Sequence, residues 1–462
     1  MSITDVRAGW PDLAAGEETD TIVSVAGRVI FFRNTGKLCF ATLQGGFTAQ
    51  TSGERLQVMI SLAEVGEDRL KAWKDDVDLG DFVSVTGRVI ASKRGELSVL
   101  ASSWQLASKA LRPLPVMHKD LSEETRVRQR YADLVVRPQS RDMVRVRAAV
   151  LKSIRATLDQ EGFLEIESPV LQLVHGGAVA RPFRTHLNAF DTDMTLRIAL
   201  ELYLKRAMVG GADRVYELGR IFRNEGIDSS HSAEFSMLEF YAAWGDQTTV
   251  AATTQRIIQN AADAALGTRT VSFHDTDIQL DGEWRWAKFF DLVSAAVGEE
   301  VGPDTSLEQW RSHADGLGVA YKPGLDEGKM AMELFGELVE HTLVQPTFVY
   351  DYPAVAQPLA RPHRDDPRLV EAWDLIIGGV ERGTGFSELI DPVIQRQRLT
   401  AQSLKAAGGD PEAMQLDEDF LRALEYGAPP MGGVGVGIDR LLMLLTGVGI
   451  RETILFPLLR PE

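Results

Sequence analysis

Val215-Tyr-Glu-Leu-Gly-Arg-Ile-Phe-Arg-Asn-Glu-Gly226, a loop holding His231, and Glu234-Phe-Ser-Met-Leu-Glu-Phe-Tyr241 form the stretch whose reading decides the fold. Two apolar runs flank a polar turn, which is the pattern of a β-hairpin. That hairpin presents a cation, a carboxylate and an imidazole together, and an arginine there can hold a phosphate by two parallel hydrogen bonds. Alternation along the second strand puts Glu239 and Tyr241 on one face and Phe240 on the other. Taken alone, the same residues also read as salt bridges on an ordinary surface hairpin.

Outward from the hairpin, two further segments carry possible chemistry. Gly162-Phe-Leu-Glu-Ile-Glu-Ser-Pro169 runs from a helix end into a strand that closes at a proline. Gly432-Gly-Val-Gly-Val-Gly-Ile-Asp-Arg440 leads into an apolar helix, where glycines let the backbone approach a ligand and the arginine can meet a base or a phosphate. No GxxxxGK[ST] occurs, and the strand and acidic residue of a dinucleotide fold do not follow the glycines, so P-loop and Rossmann readings fail.

Upstream, short alternating runs at 21–33, 37–44, 56–62, 82–93 and 96–106 read as five strands. A helix at 66–74 separates the third from the fourth. This is the order of an OB-fold barrel, which often binds single-stranded nucleic acid. Val23–Ile30 (VSVAGRVI) and Val83–Ile90 (VSVTGRVI) match at seven of eight positions, and two copies without a third indicate similar strand environments in one barrel. The two prolines of Ala110–Pro115 then favour an extended connector. The expected organisation is a barrel domain at 1–108, a linker at 109–140 and a second domain at 141–462. Helices are expected at 122–134 and 141–161, the second with Val144, Val146, Val150, Leu151, Ile154 and Leu158 along one side. A mostly helical insertion is expected at about 249–343, with Trp310, Leu317 and Phe335 among its apolar positions.

The 462 residues suit two to four domains with real cores. Net charge is −17, which on first sight argues against a nucleic-acid partner. The charge is unevenly spread: residues 1–115 hold 13 basic and 14 acidic side chains, and the remainder 36 against 52. The nearly neutral N-terminal part can therefore meet a polyanion, whereas the rest needs specific clefts or bound Mg²⁺. The single cysteine, Cys39, excludes an intrachain disulfide and reads as a small apolar strand residue. No apolar run reaches the roughly 18 residues of a membrane span and no signal segment is evident, so a soluble, cytoplasmic protein is expected.

In this order the three segments resemble the three motifs of class II aminoacyl-tRNA synthetases, and the residues between them narrow the resemblance to the lysyl-tRNA synthetases. Matching stretches include Lys109–Pro115, Arg126–Leu134, Gly176-Gly-Ala178 with Ala180–Phe183, Glu201-Leu-Tyr-Leu-Lys-Arg206, Phe222–Gly226, Gly385–Leu389 and Gly435–Arg440. Arg361–Arg364 and Ala406–Met414 look most similar to the actinobacterial branch, which includes the synthetase module of lysyl-phosphatidylglycerol enzymes. The resemblance implies an α+β fold: a five-stranded OB barrel that reads the anticodon, and an antiparallel catalytic sheet flanked by helices. It implies a homodimer, with ATP, lysine and tRNA(Lys) as substrates and lysyl-adenylate as intermediate. By it, Arg223 holds the α-phosphate, Arg440 the γ-phosphate, and Glu225 and His231 the nucleotide, with Phe235 against adenine. Asp374 and Glu381 match the Mg²⁺-binding acids. Glu201 and the Gly177 backbone take the α-amino group; Glu239, Tyr241 and Glu388 surround the ε-ammonium, near Thr384. Arg33, Phe40, Gln44 and Glu96 match the anticodon readers.

The chain also departs from the family's common pattern. Leu200 stands where a proline precedes the glutamate, Ser232-Ala233 where Asn-Pro follows the histidine, Asp374 for a glutamate, Thr384 for an asparagine, and Ala354-Val-Ala-Gln-Pro358 where a serine commonly precedes the proline. Two rival readings therefore stay open: a paralogue that activates lysine or an analogue for a non-tRNA acceptor, and a non-catalytic tRNA-binding protein.

Overall fold

The computed structural model describes residues 1–115, 121–409 and 413–461, so part of the expected linker and positions 410–412 of the stretch Ala406–Met414 lie outside the described residues. The chain divides into two compact units, Met1–Arg145 and Val146–Glu462.

In the first unit, β1 (Glu18–Asn34), β2 (Leu38–Gln44), β3 (Arg55–Ser61), β4 (Phe82–Ala91) and β5 (Leu97–Ser108) close into a barrel of order β1-β2-β3-β5-β4. A helix at Glu67–Asp76 lies between the third and fourth strands. Every second residue of the strands enters the core, where Val25, Leu43, Val58, Val85 and Val99 meet and Cys39 is fully buried. The two similar octapeptides turn out to be neighbours: they pair antiparallel, Val23 opposite Gly87, Val25 opposite Val85 and Gly27 opposite Val83. Gly87 sits where the β4–β5 register shifts, and a Cβ there would come within 1.9 Å of the Leu100 carbonyl oxygen.

The expected linker is largely helical after residue 122, with helices Glu123–Arg128 and Arg130–Val136, and it is held to the barrel. Gln44 Nε2 donates to the Val135 carbonyl at 3.2 Å and Arg141 Nε to that of Ser52 at 2.8 Å. The compact unit therefore runs past the expected end of the barrel domain.

In the second unit, the helix Pro138–Gln160 buries Val150, Ile154 and Leu158. The main strands are β6 (Leu164–Glu165), β10 (Arg214–Phe222), β11 (Glu234–Ala243), β14 (Arg285–Lys288), β15 (Thr347–Pro353), β16 (Leu369–Ile376), β17 (Glu381–Ser387) and β18 (Met431–Gly437). They form one sheet of order β14-β15-β16-β17-β18-β11-β10-β6, antiparallel except for the pairs β6–β10 and β14–β15. Three short strands, β7 (Leu171–Gln172), β8 (Arg184–Leu187) and β9 (Thr192–Leu196), make a separate small sheet, and β12 (Thr270–Phe273) with β13 (Thr276–Gln279) makes a ribbon. The segment at 249–343 is thus less purely helical than expected, because it supplies that ribbon and the edge strand β14. Trp310 and Phe335 are in its core, but Leu317 is exposed at a helix end where Gly318 terminates the turn.

Gly87→Ala should destabilise the first unit by about 1–3 kcal/mol, because an overpacked strand must shift its neighbour. Chemical denaturation followed by barrel tryptophan fluorescence measures this, and an unchanged midpoint would contradict the packing.

Candidate active site

A single rung of the sheet assembles most of the site. Glu239 on β11 lies opposite Gly435 on β18, which lies opposite Thr384 on β17, which lies opposite Asp374 on β16. Residues directly opposite in a ladder share a face, so a carboxylate, a bare backbone, a hydroxyl and a second carboxylate line up across four strands. One rung away, Tyr241 is opposite Gly433, which is opposite Phe386. Over this face lies a cavity of about 420 Å³. The sequence-predicted residues Gly177, Glu201, Arg223, Glu225, His231, Phe235, Glu239, Tyr241, Glu381, Thr384 and Arg440 all line it. Gln357, flagged as a departure, lines it as well.

One end of the cavity is cationic. Arg223 Nε donates to the Ile198 carbonyl at 3.3 Å, and its guanidinium lies 5.5 Å from the Phe235 ring centroid. Burial lowers its pKa, countered by Glu225, Glu381 and Glu239. Arg440, in the first turn of the helix Ile438–Thr446, donates to the Glu381 carbonyl at 3.2 Å and to His231 Nε2 at 3.3 Å. Since Nε2 accepts there, the imidazole proton belongs on Nδ1, which faces Asp228 Oδ2 at 2.9 Å. Hydrogen bonds from Ser230 and His231 pull Asp228 down to about 2, so the loop keeps an ionised anchor for the ring.

Two supports of Arg440 were not read from the sequence. Asp439, 1% exposed, accepts from Arg147 Nη1 at 2.6 Å and from the Ser236 backbone at 2.8 Å, fixing the start of the helix to β11. Arg382, buried on β17, donates Nη1 to the Arg440 carbonyl at 2.9 Å and Nε to that of Ile377 at 3.0 Å. The strand period places Arg382 beside Glu381, but a lone charged residue in a strand gives no sign that it turns to a backbone carbonyl.

The other end is acidic. Glu239 accepts from the Leu200 N–H at 2.8 Å and from the Tyr241 hydroxyl at 3.1 Å. The unusual Leu200 has a consequence here, since a proline would offer no N–H to that carboxylate. Burial, then the charge of Glu201, raises Glu239 to about 8. Gly177, with φ +85°, has its missing Cβ position 3.1 Å from Glu201 Cβ, so the backbone passes close over that acid.

Glu388, expected with Glu239 and Tyr241 around the ε-ammonium, does not line the cavity and is 2% exposed. Its Oε2 is ion-paired with Lys205, a side chain with no exposure that also donates to Glu201 Oε1 at 2.6 Å. Neither carboxylate oxygen of Glu388 has a hydrogen-bond partner among the described residues, so the ion pair alone holds Oε2 and Oε1 is left without a cation. Oε1 packs beside Tyr241, which does line the cavity: the missing Cβ of Gly433 would lie 2.0 Å from that oxygen and 2.3 Å from the Tyr241 ring. Burial raises Glu388 to about 8, against the opposing pull of Lys205.

Asp374 is half-buried, and burial followed by the charge of Glu381 raises it to about 7. Among the described residues no group of three or more His, Cys, Asp or Glu side chains is disposed to hold a metal alone. Two neighbouring carboxylates instead fit a hard cation that completes its shell with phosphate oxygens and water.

Of the expected anticodon readers, Arg33 and Phe40 pair across β1–β2 with the guanidinium 5.1 Å from the ring centroid, and Glu96 is exposed 3.7 Å from Arg7. Gln44 is the exception. It is buried, its amide nitrogen is committed to Val135, and Oε1 has no partner among the described residues.

Comparison with known proteins gives the family. Residues 122–460 match the family of class II tRNA synthetases (D, K and N), and residues 23–107 match the OB-fold nucleic acid binding domain. The chain belongs to the class II tRNA synthetases. Within that family it is 55% identical, over all of its own length and 92% of the relative's, to the lysine–tRNA ligase of Mycobacterium tuberculosis (strain ATCC 25177 / H37Ra). It is 57% identical to that of Mycolicibacterium gilvum, covering 99% of this chain and 91% of the relative. It is also 48% identical to the lysylphosphatidylglycerol biosynthesis bifunctional protein LysX of Mycobacterium avium, but there 97% of the chain covers only 38% of the relative. No helix among the described residues of this synthetase is long and apolar enough to cross a membrane.

The raised acids give a pH prediction. If these acids take the ammonium groups of lysine, binding below about pH 8 must release a proton from each acid that is still protonated. The KM for lysine should then fall as pH rises from about 6 to 7.5, by at least roughly tenfold per unit, and level off above 8. Lysine-dependent pyrophosphate exchange at saturating ATP reads this, and a KM flat across the range would refute the buried-acid reading.

Proposed function

We propose that this chain is a lysine–tRNA ligase that activates lysine with ATP and transfers the lysyl group to the 3′ end of tRNA(Lys). One observation carries the reading: two buried acids, Glu201 and Glu239, line one end of a cavity whose other end is formed by Arg223 and Arg440, and Lys205 ties a third buried acid, Glu388, to Glu201. An amino acid with two ammonium groups and one carboxylate matches that polarity, and a cationic side chain leaving water requires such partners.

In this reading Glu201 and the Gly177 backbone take the α-amino group, and Glu239, Tyr241 and Glu388 the ε-ammonium, with Thr384 on the rung between the sites. The lysine carboxylate is the nucleophile. It attacks the α-phosphorus, forming a C–O–P bond as the bond to pyrophosphate breaks, and lysyl-adenylate results. Arg223 neutralises the α-phosphate and Arg440 the γ-phosphate, Phe235 stacks on adenine, and Glu225 and His231 hold the nucleotide. Catalysis is then positioning plus electrostatic stabilisation. Mg²⁺, held by Asp374 and Glu381, would supply further neutralisation of phosphate charge. The tRNA 3′-hydroxyl next attacks the lysyl carbonyl carbon, and AMP leaves.

The barrel supports tRNA as acceptor, with Arg33, Phe40 and Glu96 offered to unstacked anticodon bases. Gln44 can join them only by giving up its bond to Val135. A homodimer, working in the cytoplasm where charged tRNA is used, is part of the proposal. Val170, Leu171 and Leu173, which follow Pro169, are exposed apolar side chains of the kind an interface covers.

Lysine-dependent exchange of pyrophosphate into ATP, followed by charging of tRNA(Lys), tests the reading. Both reactions are expected. Absence of exchange would remove it, and exchange without charging would point to another acceptor. Glu388→Gln should raise the lysine KM by about 100-fold and the ATP KM by less than about threefold, because a buried charge-assisted bond is lost. Equal rises in both would refute the pocket assignment.

A further inference from the structure

Lys205 is buried against two of the acids at the acidic end of the cavity, and a lysine without exposure needs a reason. It projects from the helix Glu201–Val209, one turn after Glu201 and on the same face. Its ammonium bridges Glu201 Oε1, at 2.6 Å, to Glu388 Oε2 at the end of β17, and lies 5.9 Å from the Phe386 ring centroid. The other ionisable groups around these acids are Glu239 and Tyr241 from β11, with Arg223 beyond Glu239. Glu388 is thereby held by one oxygen and left with the other unpartnered beside Tyr241 and Gly433.

We propose that Lys205 is a positioning residue for lysine specificity: by clamping Oε2 of Glu388 it aims the unpartnered Oε1 at the substrate ε-ammonium. This rests on the lysine-activating reading above. Charge counting supports it. With all three acids ionised, three carboxylates against Lys205 and Arg223 sum to one net negative charge, and lysine, with two ammonium groups and one carboxylate, brings one positive charge, so the filled pocket is neutral. Without Lys205 the same pocket would hold two net negative charges out of water, which favours uptake of a proton by an acid. A protonated Glu388 can still form a hydrogen bond, but it no longer separates a cationic tail from an apolar one by charge. The i, i+4 tether to Glu201 explains why the clamp is a helix residue: the same ammonium fixes the distance between the acid for the α-amino group and the acid for the ε-ammonium.

The test is discrimination between lysine and 2-aminoheptanoic acid, which has a methyl in place of the ammonium. Any damage at the α-amino end affects both compounds and cancels in the ratio of their kcat/KM values in pyrophosphate exchange. Lys205→Met should lower the ratio by between about 10- and 100-fold, the value of a charge-assisted bond. It should also move the fall in lysine KM to higher pH while leaving the ATP KM within about threefold. The double variant Lys205→Met/Glu388→Gln removes both partners of the pair and leaves only Glu201 without its ammonium, an effect at the α-amino end that falls on both compounds and cancels in the ratio, so it serves even where the single variant folds poorly. Its ratio should equal that of Glu388→Gln alone. A single variant with the wild-type ratio and pH profile would overturn the proposal, as would a double variant more than about threefold worse than Glu388→Gln. If the wild type shows no lysine-dependent exchange, it is the functional reading that fails; if the wild type is active and discrimination ignores Lys205, only this inference fails.

Discussion

The acidic end of the cavity is governed by one constraint: a carboxylate taken out of water must find a donor or take a proton. Three acids meet there, and the surrounding structure supplies donors of three kinds. Glu239 receives a backbone N–H and a phenol, Glu201 receives an internal ammonium, and Glu388 receives that same ammonium on only one oxygen. Donors therefore fall short of acceptors by a small margin. On the proposed reading, that shortfall suits the pocket to ammonium groups, since a fully satisfied cluster would have no reason to bind one.

Holding acids this close to arginines without letting them pair directly requires a rigid spacer, and the sheet provides it. Neighbouring strands lie about 4.8 Å apart, so the rung from Glu239 through Gly435 and Thr384 to Asp374 spaces its side chains at fixed intervals. The glycines of β18 serve this geometry. A side chain at Gly435 would rise into the cavity between its acidic and cationic ends, and at Gly433 a single methyl would strike both Glu388 and Tyr241. At the cationic end, the helix that carries Arg440 is fixed by Asp439 to Arg147 and Ser236, and the Arg440 carbonyl is held by Arg382.

Much of this was legible in the sequence where one residue's role depends on its own strand or turn. The barrel strands and the hairpin followed from period and punctuation, and Glu239 and Tyr241 share a face as alternation requires. What escaped depends on residues far apart in the chain. The spacing of Glu201 and Lys205 announces a helix pair, but nothing local shows that Glu388, 183 positions later, completes it. Gln44 alternates correctly on its strand, yet the helix after the connector covers it and takes its amide. Leu317 fits an apolar helical pattern but lies at the last turn, where Gly318 ends the helix before the side chain reaches the core.

Leu200 shows how a departure from a family pattern acquires meaning only in three dimensions. As a sequence difference it is a missing proline before an acid. In the fold its N–H becomes one of two donors to Glu239, the acid that burial and Glu201 push up to about 8. A donor to the ionised form opposes that rise, so the substitution biases Glu239 toward the charge that an ammonium needs. The same bias is set at Glu388 by Lys205, through a side chain rather than the backbone. On the proposed reading, two acids that must be charged when lysine arrives are thus each tuned by a donor from the chain itself, and the affinity of the pocket is a balance between burial and those two contacts.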